Sequence, residues 1–115
     1  MEREDFIDKI ETYGTIPIGK FGHTSCLISK TKLVVFGGAN GDVGNYSITN
    51  DTFILTMQAN PLNFSWKLLE STLLPYNLDV GNVPSPRAAH ACCSFEENQM
   101  LVFGGATGCK NLSPL

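Results

Sequence analysis

The sequence predicts an all-β fold in which a four-stranded antiparallel unit is repeated in tandem, like the blades of a β-propeller. Eleven glycines and six prolines in 115 residues leave little room for long helices. Short apolar runs rich in β-branched and aromatic residues are separated by polar turns, a pattern typical of strands. Residues 14–42 also repeat, without a gap, at residues 81–109.

The repeat is the strongest signal in the chain, since 10 of its 29 aligned positions are identical at an offset of 67 residues. Lys20 and Arg87 form a further conservative pair. Each blade of a propeller buries its faces against its neighbours, so a repeated strand unit favours this architecture. The identical pairs are Gly14/Gly81, Pro17/Pro84, His23/His90, Cys26/Cys93, Val35/Val102, Phe36/Phe103, Gly37/Gly104, Gly38/Gly105, Ala39/Ala106 and Gly41/Gly108.

Four strands are predicted in the first unit. Strand a spans residues 22–29 and strand b residues 33–36, with a polar turn between them. Gly37 and Gly38 end strand b, because glycine adopts positive φ without steric cost. A polar loop over residues 39–49 leads to strand c at 52–57, and the turn at Asn60-Pro61 leads to strand d at 64–69. The second unit holds only strand a, residues 88–95, and strand b, residues 99–103.

These strands divide the chain into five parts. An N-terminal segment (1–13) precedes the first blade (14–69), a connecting loop (70–83), the first half of a second blade (84–108) and a tail (109–115). The chain therefore contains about one and a half blades of an incomplete propeller. Phe6, Ile7, Ile10 and Tyr13 have helical spacing, which favours a short amphipathic helix in the N-terminal segment. The alternative for this segment is an outer strand.

The order of these features resembles a kelch repeat: a basic residue and a histidine, an apolar strand, Gly-Gly, Asn-Asp and a tryptophan. The resemblance covers roughly residues 14–108 and implies a kelch β-propeller in which the motif residues have structural roles. One departure is the period, which is about 50 residues in kelch repeats, with the surplus here mostly in residues 70–83. The motif residues are Lys20, His23, Gly37, Gly38, Asn50, Asp51, Trp66, Arg87, His90, Gly104 and Gly105.

A narrower resemblance concerns residues 84–91 (PSPRAAHA) and 48–52 (ITNDT). Both are similar to the kelch region of kelch-type serine/threonine phosphatases, in which a propeller precedes a metallophosphatase domain. This resemblance implies that the chain recruits substrate to, or regulates, a catalytic domain elsewhere in a longer parent protein. No phosphatase motif occurs in the 115 residues, so we expect no catalysis and no cofactor in this chain. Two metal ions are expected only in a downstream phosphatase domain. The alternative is a scaffold or adaptor of another kelch class, with no enzyme attached.

Charge and composition limit the other functions. A net charge of −3 argues against binding to nucleic acid. The acidic N-terminus has no apolar signal region and no apolar run could span a membrane, so we expect a cytoplasmic or nuclear protein that is not secreted. The cysteines are then expected to be reduced, buried thiols, and without a Cys-x-x-Cys pair a zinc site has little support. They are Cys26, Cys92, Cys93 and Cys109.

The two long connections, residues 39–49 and 70–83, predict where a protein partner binds. Strands of a meander alternate in direction, so the b–c and d–a connections lie on the same face, where long loops suit recognition. The alternative is that both are merely tolerated insertions. Kelch propellers use this face for protein partners, which the resemblance adds to the geometry. The remaining blades of a longer parent would be further partners. Candidate contact residues are Asp42, Asn45, Tyr46, Ser47, Tyr76, Asn77 and Asp79.

Overall fold

A computed structural model describes residues 10–42, 44–69 and 84–107 of the chain. Within these ranges every regular secondary-structure element is a β-strand, which confirms the all-β prediction. None of the described residues forms a helix long and apolar enough to cross a membrane. The strands are β1 (Tyr13–Gly14), β2 (Thr24–Ser29), β3 (Lys32–Phe36), β4 (Ala39–Asp42), β5 (Asn45–Ile48), β6 (Thr52–Gln58), β7 (Asn63–Leu69), β8 (Ala91–Ser94) and β9 (Met100–Phe103).

Strands β2, β3, β6 and β7 form the first blade as an antiparallel meander. The core lies on β3, which pairs with β2 on one side and β6 on the other. Successive side chains of a strand point to opposite faces of the sheet. Buried Val34 and Phe36 therefore occupy the face that we call the front, and buried Val35 lies on the back. Phe53 lies opposite Val35 in the register and is also buried.

The half blade repeats the geometry of the first blade. Strands β8 and β9 form an antiparallel pair that packs against β2. Its register is the register of β2 and β3 moved by 67 residues, so the sequence repeat is also a structural repeat. The matching pairs are Thr24↔Phe36 with Ala91↔Phe103, Cys26↔Val34 with Cys93↔Leu101, and the isolated bridges Phe21↔Ala39 with Ala88↔Ala106.

Residues 39–49 differ from the prediction of a polar loop, which is wrong. They contain strands β4 and β5, which pair as an antiparallel hairpin. The polar composition hid this because both strands are short and mostly exposed, so no apolar alternation marks them. Gly41 allows the close approach of the two strands: its φ is +117°, and a Cβ there would overlap the carbonyl oxygen of Asn45.

The N-terminal segment enters the sheet as a strand. Tyr13 and Gly14 pair in parallel with Ser65 and Trp66, which places β1 at the outer edge of the blade beside β7. This is the outer-strand alternative for the end of the segment. Residues 10–12 have no regular structure, and residues 1–9 of the expected helix lie outside the described residues.

The matched pair Phe36 and Phe103 tests how the core is distributed. Phe36 is 3% exposed and Phe103 is 64% exposed, although the two are equivalent in the repeat. We expect Phe36→Ala to lower the free energy of unfolding by about 3–5 kcal/mol, because it leaves a cavity between the blades. Phe103→Ala should change it by about 0.5 kcal/mol or less. Urea denaturation in dilute solution measures both, and equal losses would contradict the assignment of the core.

Candidate interaction surface

The β4–β5 hairpin carries an exposed aromatic side chain on a firmly attached backbone. Phe21 and Ala39 exchange two hydrogen bonds: the Phe21 N–H donates to the Ala39 oxygen at 2.9 Å and the Ala39 N–H donates back at 2.8 Å. The Thr49 N–H closes the base of the hairpin on the Gly38 oxygen at 3.0 Å. The hairpin is therefore held at both ends to the first blade.

Tyr46 packs edge to face against Phe21 at the surface. Their ring centroids are 5.2 Å apart with an interplanar angle of 76°, an edge-to-face geometry that aromatic pairs favour. About half of each side chain stays exposed, 52% for Tyr46 and 49% for Phe21. We call Phe21, Asp42, Asn45, Tyr46 and Ser47 together the hairpin surface.

A shallow cavity of about 250 Å³ adjoins the base of the hairpin. The Lys20 Nζ lies 4.7 Å from the centroid of the Phe53 ring, in a cation–π contact. Burial lowers the pKa of Lys20, and the nearby Asp51 carboxylate partly opposes this. The wall is otherwise largely apolar, so the cavity suits an uncharged or apolar side chain. The lining residues are Thr15, Ile16, Ile18, Lys20, Ala39, Asn40, Thr49, Asp51 and Phe53.

Four of the seven candidate contact residues lie together in the hairpin: Asp42 ends β4, and Asn45, Tyr46 and Ser47 lie in β5. The other three, Tyr76, Asn77 and Asp79, lie outside the described residues. Sequence reasoning missed Phe21, Ile16 and Ile18, which are exposed beside the hairpin or its cavity. The sequence did contain a signal for Phe21, because the two copies of the repeat differ at this position and the second copy has Ala88 there.

The repeated histidine joins the two blades. His90 is only 8% exposed, and its Nε2 is hydrogen-bonded to the Thr24 Oγ1 at 2.7 Å. Its ring meets the Phe36 ring edge to face, with centroids 5.3 Å apart. Gly37 leaves room for this ring, since a Cβ there would lie 2.8 Å from the His90 Cε1 and 2.9 Å from the Arg87 oxygen. The first glycine of one blade thus accommodates the histidine of the next.

Backbone hydrogen bonds continue this contact between the blades. The Gly38 N–H donates to the Arg87 oxygen at 2.9 Å, and the Ala89 N–H donates to the Gly22 oxygen at 2.8 Å. The Asn50 Nδ2 donates to the Pro84 oxygen at 3.1 Å. These bonds satisfy polar groups at a buried junction and fix the register of the two blades.

The remaining contacts of the motif residues lie within one blade. Gly38 and Gly105 each lie against the histidine of their own repeat, where a Cβ would come within 2.9 Å and 2.8 Å of the histidine Cβ. The Arg87 Nη1 donates to the Gly104 oxygen at 3.1 Å. The Asp51 oxygen accepts from the Gly37 N–H at 3.0 Å. Trp66 meets the Phe53 ring edge to face on the back of the sheet, and His23 is exposed.

The three described cysteines form no disulfide with one another. Burial, with a smaller contribution from the neighbouring Cys92 thiol, raises the pKa of Cys26 to about 11. A thiol with so high a pKa is a poor nucleophile at neutral pH. Cys93 is exposed, contrary to the expectation of buried thiols, and Cys109 lies outside the described residues. Over residues 10–42, 44–69 and 84–107, no group of three His, Cys, Asp or Glu side chains is placed to hold a metal ion.

Comparisons with known proteins agree with this architecture. The family model described as the KLHDC2/KLHL20/DRC7 Kelch-repeats domain matches residues 3–115. The chain is 33% identical over 91 residues to Adagio protein 3 of Arabidopsis thaliana, which is 79% of this chain and 12% of the relative. It is 34% identical over 98 residues to Kelch domain-containing protein 1 of Mus musculus, which is 85% of this chain and 20% of the relative. An F-box/kelch-repeat protein of Arabidopsis thaliana is 31% identical over 90 residues, 77% of this chain and 16% of the relative.

The Gly37 and Gly104 pair tests the role of the first glycine. Both have positive φ, so alanine at either site costs about 1–2 kcal/mol of backbone strain. Only Gly37 faces the histidine of the next repeat, and a Cβ at Gly104 meets no atom within 4 Å. We expect Gly37→Ala to cost about 1–3 kcal/mol more than Gly104→Ala, because it also crowds His90. Equal free energies of unfolding for the two variants would contradict this role.

His90 makes stability depend on pH. Burial lowers its pKa below the ordinary 6.5, the positive Arg87 and the neighbouring His23 lower it further, and the Phe36 backbone opposes the shift. The unfolded chain therefore binds this proton more readily than the folded chain. We expect the contribution of His90 to the free energy of unfolding to be fully present above about pH 7.5 and to decline as the pH falls through 6.5.

We expect the free energy of unfolding of His90→Gln to depend less on pH than that of the wild-type chain. His23→Gln changes an exposed residue and should retain more of the pH dependence. Urea denaturation between pH 5 and pH 8 compares the two. An unchanged pH profile in His90→Gln would show that another group is responsible.

Proposed function

The chain belongs to the kelch-repeat family, and from this premise we propose that it binds a protein partner through the hairpin surface and the cavity beside it. Kelch repeats act as protein-interaction modules, and no catalytic group is needed for that role. The observation that carries the proposal is the exposed Phe21–Tyr46 pair, held on a hairpin whose two ends are hydrogen-bonded to the first blade.

The aromatic pair has the properties of an interaction hot spot. Tyrosine contributes a large contact area and a hydroxyl at a small cost in conformational entropy, and it is enriched at the energetic centres of interfaces. The edge-to-face contact with Phe21 holds the Tyr46 ring in place before a partner arrives. Pre-organisation of this kind lowers the entropic cost of binding.

The surroundings indicate the partner's chemistry. Exposed Ile16 and Ile18 line the cavity beside the hairpin, while Asp42 and Asn45 supply polar contacts at the tip. We infer that the partner offers an apolar side chain to the cavity and hydrogen-bonding groups to the hairpin tip. Such a partner would be a folded loop or an extended segment of another protein.

The activity of the parent protein is a separate proposal. The chain spans only 12–20% of the length of the relatives above. Their names describe kelch, F-box and Adagio proteins and none of the three names a phosphatase, so we propose a scaffold or adaptor parent. A cytoplasmic or nuclear location is a further proposal that rests on the sequence alone. The phosphatase hypothesis is supported only by residues 84–91 and 48–52. The coding sequence beyond residue 115 decides between them, because a phosphatase parent requires Gly-Asp-x-His-Gly and Gly-Asn-His-Glu motifs there.

A photo-crosslinking experiment tests the hairpin surface. We expect a benzoylphenylalanine at Tyr46 to capture a partner in cells, and the same residue at exposed Phe95 to capture none. Tyr46→Ala should then weaken binding of the identified partner by about 30-fold, the effect of removing an aromatic hot spot.

Phe95→Ala is the matched control, since Phe95 is a similarly exposed aromatic side chain on the half blade. Unchanged affinity after Tyr46→Ala, or equal losses in both variants, would place the binding site elsewhere.

A further inference from the structure

Two cysteines face one another where the half blade packs against the first blade. Cys26 lies opposite Val34 in the register of β2 and β3, so its side chain lies on the front face, towards the half blade. Cys92 follows two residues after His90, whose ring packs against the first blade, so both side chains lie on the same side of their strand. Both cysteines are half-buried free thiols. The two thiols therefore point into the same junction.

The contacts beside the two thiols bring them close together. The Thr24 Oγ1 and the His90 Nε2 are 2.7 Å apart, and Cys26 and Cys92 each follow two residues further along the same two strands. The Cys92 thiol donates to the Ser25 oxygen at 3.7 Å. The thiols of Cys26 and Cys92 are near enough for a side-chain hydrogen bond between them. A disulfide requires sulfur atoms that approach in this way from facing strands.

Backbone hydrogen bonds hold the junction on both sides of the cysteine pair. Before the pair, the Ala89 N–H donates to the Gly22 oxygen at 2.8 Å. After the pair, the Asn98 N–H donates to the Ile28 oxygen at 2.8 Å. The two segments are thus fixed to one another at both ends, which keeps the sulfur atoms in reach of each other.

The cysteine pair is a feature of this junction rather than of the repeat. The offset of 67 residues aligns Cys26 with Cys93, and it aligns Cys92 with Ser25. Cys93 is exposed and, as the next residue of β8, points to the opposite face of the strand. The thiol that faces Cys26 is therefore the one that the repeat does not account for.

We propose that Cys26 and Cys92 are a redox-sensitive pair, which a hydroperoxide oxidises to a disulfide that joins the two blades covalently. The Cys92 sulfur attacks the O–O bond and becomes a sulfenic acid, while the hydroperoxide leaves as an alcohol, or as water if it is hydrogen peroxide. The Cys26 sulfur then displaces the hydroxyl group as water, and the S–S bond forms. The two thiols lose two electrons and two protons, which reduce the peroxide bond.

The surroundings of the two thiols assign their order of reaction. Burial raises the pKa of Cys26 to about 11, so this thiol stays protonated at neutral pH and reacts poorly with a peroxide. Cys92 is therefore the sulfur that is oxidised first. Cys26 closes the disulfide in an intramolecular step, which proximity makes efficient even for a weak nucleophile. This inference does not depend on the proposed partner site, which lies on the hairpin surface.

Peptide mapping of the native chain tests the pair. We expect hydrogen peroxide, followed by alkylation of the remaining thiols, to link the tryptic peptides 21–30 and 88–110 by a disulfide that dithiothreitol removes. Tandem mass spectrometry should place this disulfide at Cys26 and Cys92. The same treatment in urea should give a mixture of cysteine pairs, because the folded junction selects one of them. No link in the native chain, or a link between other cysteines, would overturn the proposal.

Serine variants separate the three described cysteines. Cys92→Ser should abolish the link, and serine suits the site because Ser25 holds the equivalent position in the first copy. Cys93→Ser is the matched control and should form the link as fast as the wild-type chain. Cys26→Ser should leave Cys92 as a sulfenic acid that dimedone traps. A link that survives Cys92→Ser, or one that is lost in Cys93→Ser, would overturn the proposal.

Hydrogen exchange tests whether the disulfide closes the junction. The N–H groups of Gly38, Ala89 and Asn98 donate across it, and we expect them to exchange about tenfold more slowly in the oxidised chain. The Met57 N–H donates to the Thr31 oxygen within the first blade and should change less. Dithiothreitol should restore the original rates. Unchanged exchange at the junction, or equal slowing at Met57, would overturn the role of the disulfide there.

Discussion

The contact between one blade and the histidine of the next is the constraint on which the rest of the structure depends. A single sheet cannot bury both of its faces, so each blade needs a neighbour. Here the His90 ring occupies the space beside Gly37, is hydrogen-bonded to Thr24 and packs edge to face against Phe36. This contact helps to bury the front face of β3, where Phe36 lies. The same contact makes His90 a buried titratable group whose pKa is lowered.

The blade also explains how an interaction surface can form on a small framework. The base of the β4–β5 hairpin is hydrogen-bonded to the first blade, Ala39 to Phe21 and Thr49 to Gly38. Within the hairpin, Ala39 is buried in the core, whereas Tyr46 is exposed. The proposed recognition residues at the hairpin tip are exposed and lie outside the core, whereas the cavity beside the hairpin is lined in part by the buried Ala39 and Phe53.

The parts of the chain that sequence reasoning predicted well are those with a periodic physical signal. The apolar runs at 33–36 and 52–57 correspond closely to β3 and β6, because strands with a buried face must alternate or be continuously apolar. The β4–β5 hairpin was missed because an exposed hairpin needs no apolar face. Phe21 was missed for a related reason: its partner, Tyr46, is distant in sequence and belongs to an element that was not predicted.

The sequence by itself determined the strand units, their repetition and the family, because repeated side chains at a constant offset carry that information. Only the tertiary structure decided which repeated residues are buried. Each repeated pair has one buried and one exposed member: His90 and Phe36 are buried, whereas the equivalent His23 and Phe103 are exposed. The difference arises because burial depends on whether a neighbouring sheet lies against the residue. The tertiary structure likewise brought Phe21 to Tyr46 and closed the cavity beside them, because these contacts join segments that share no sequence pattern.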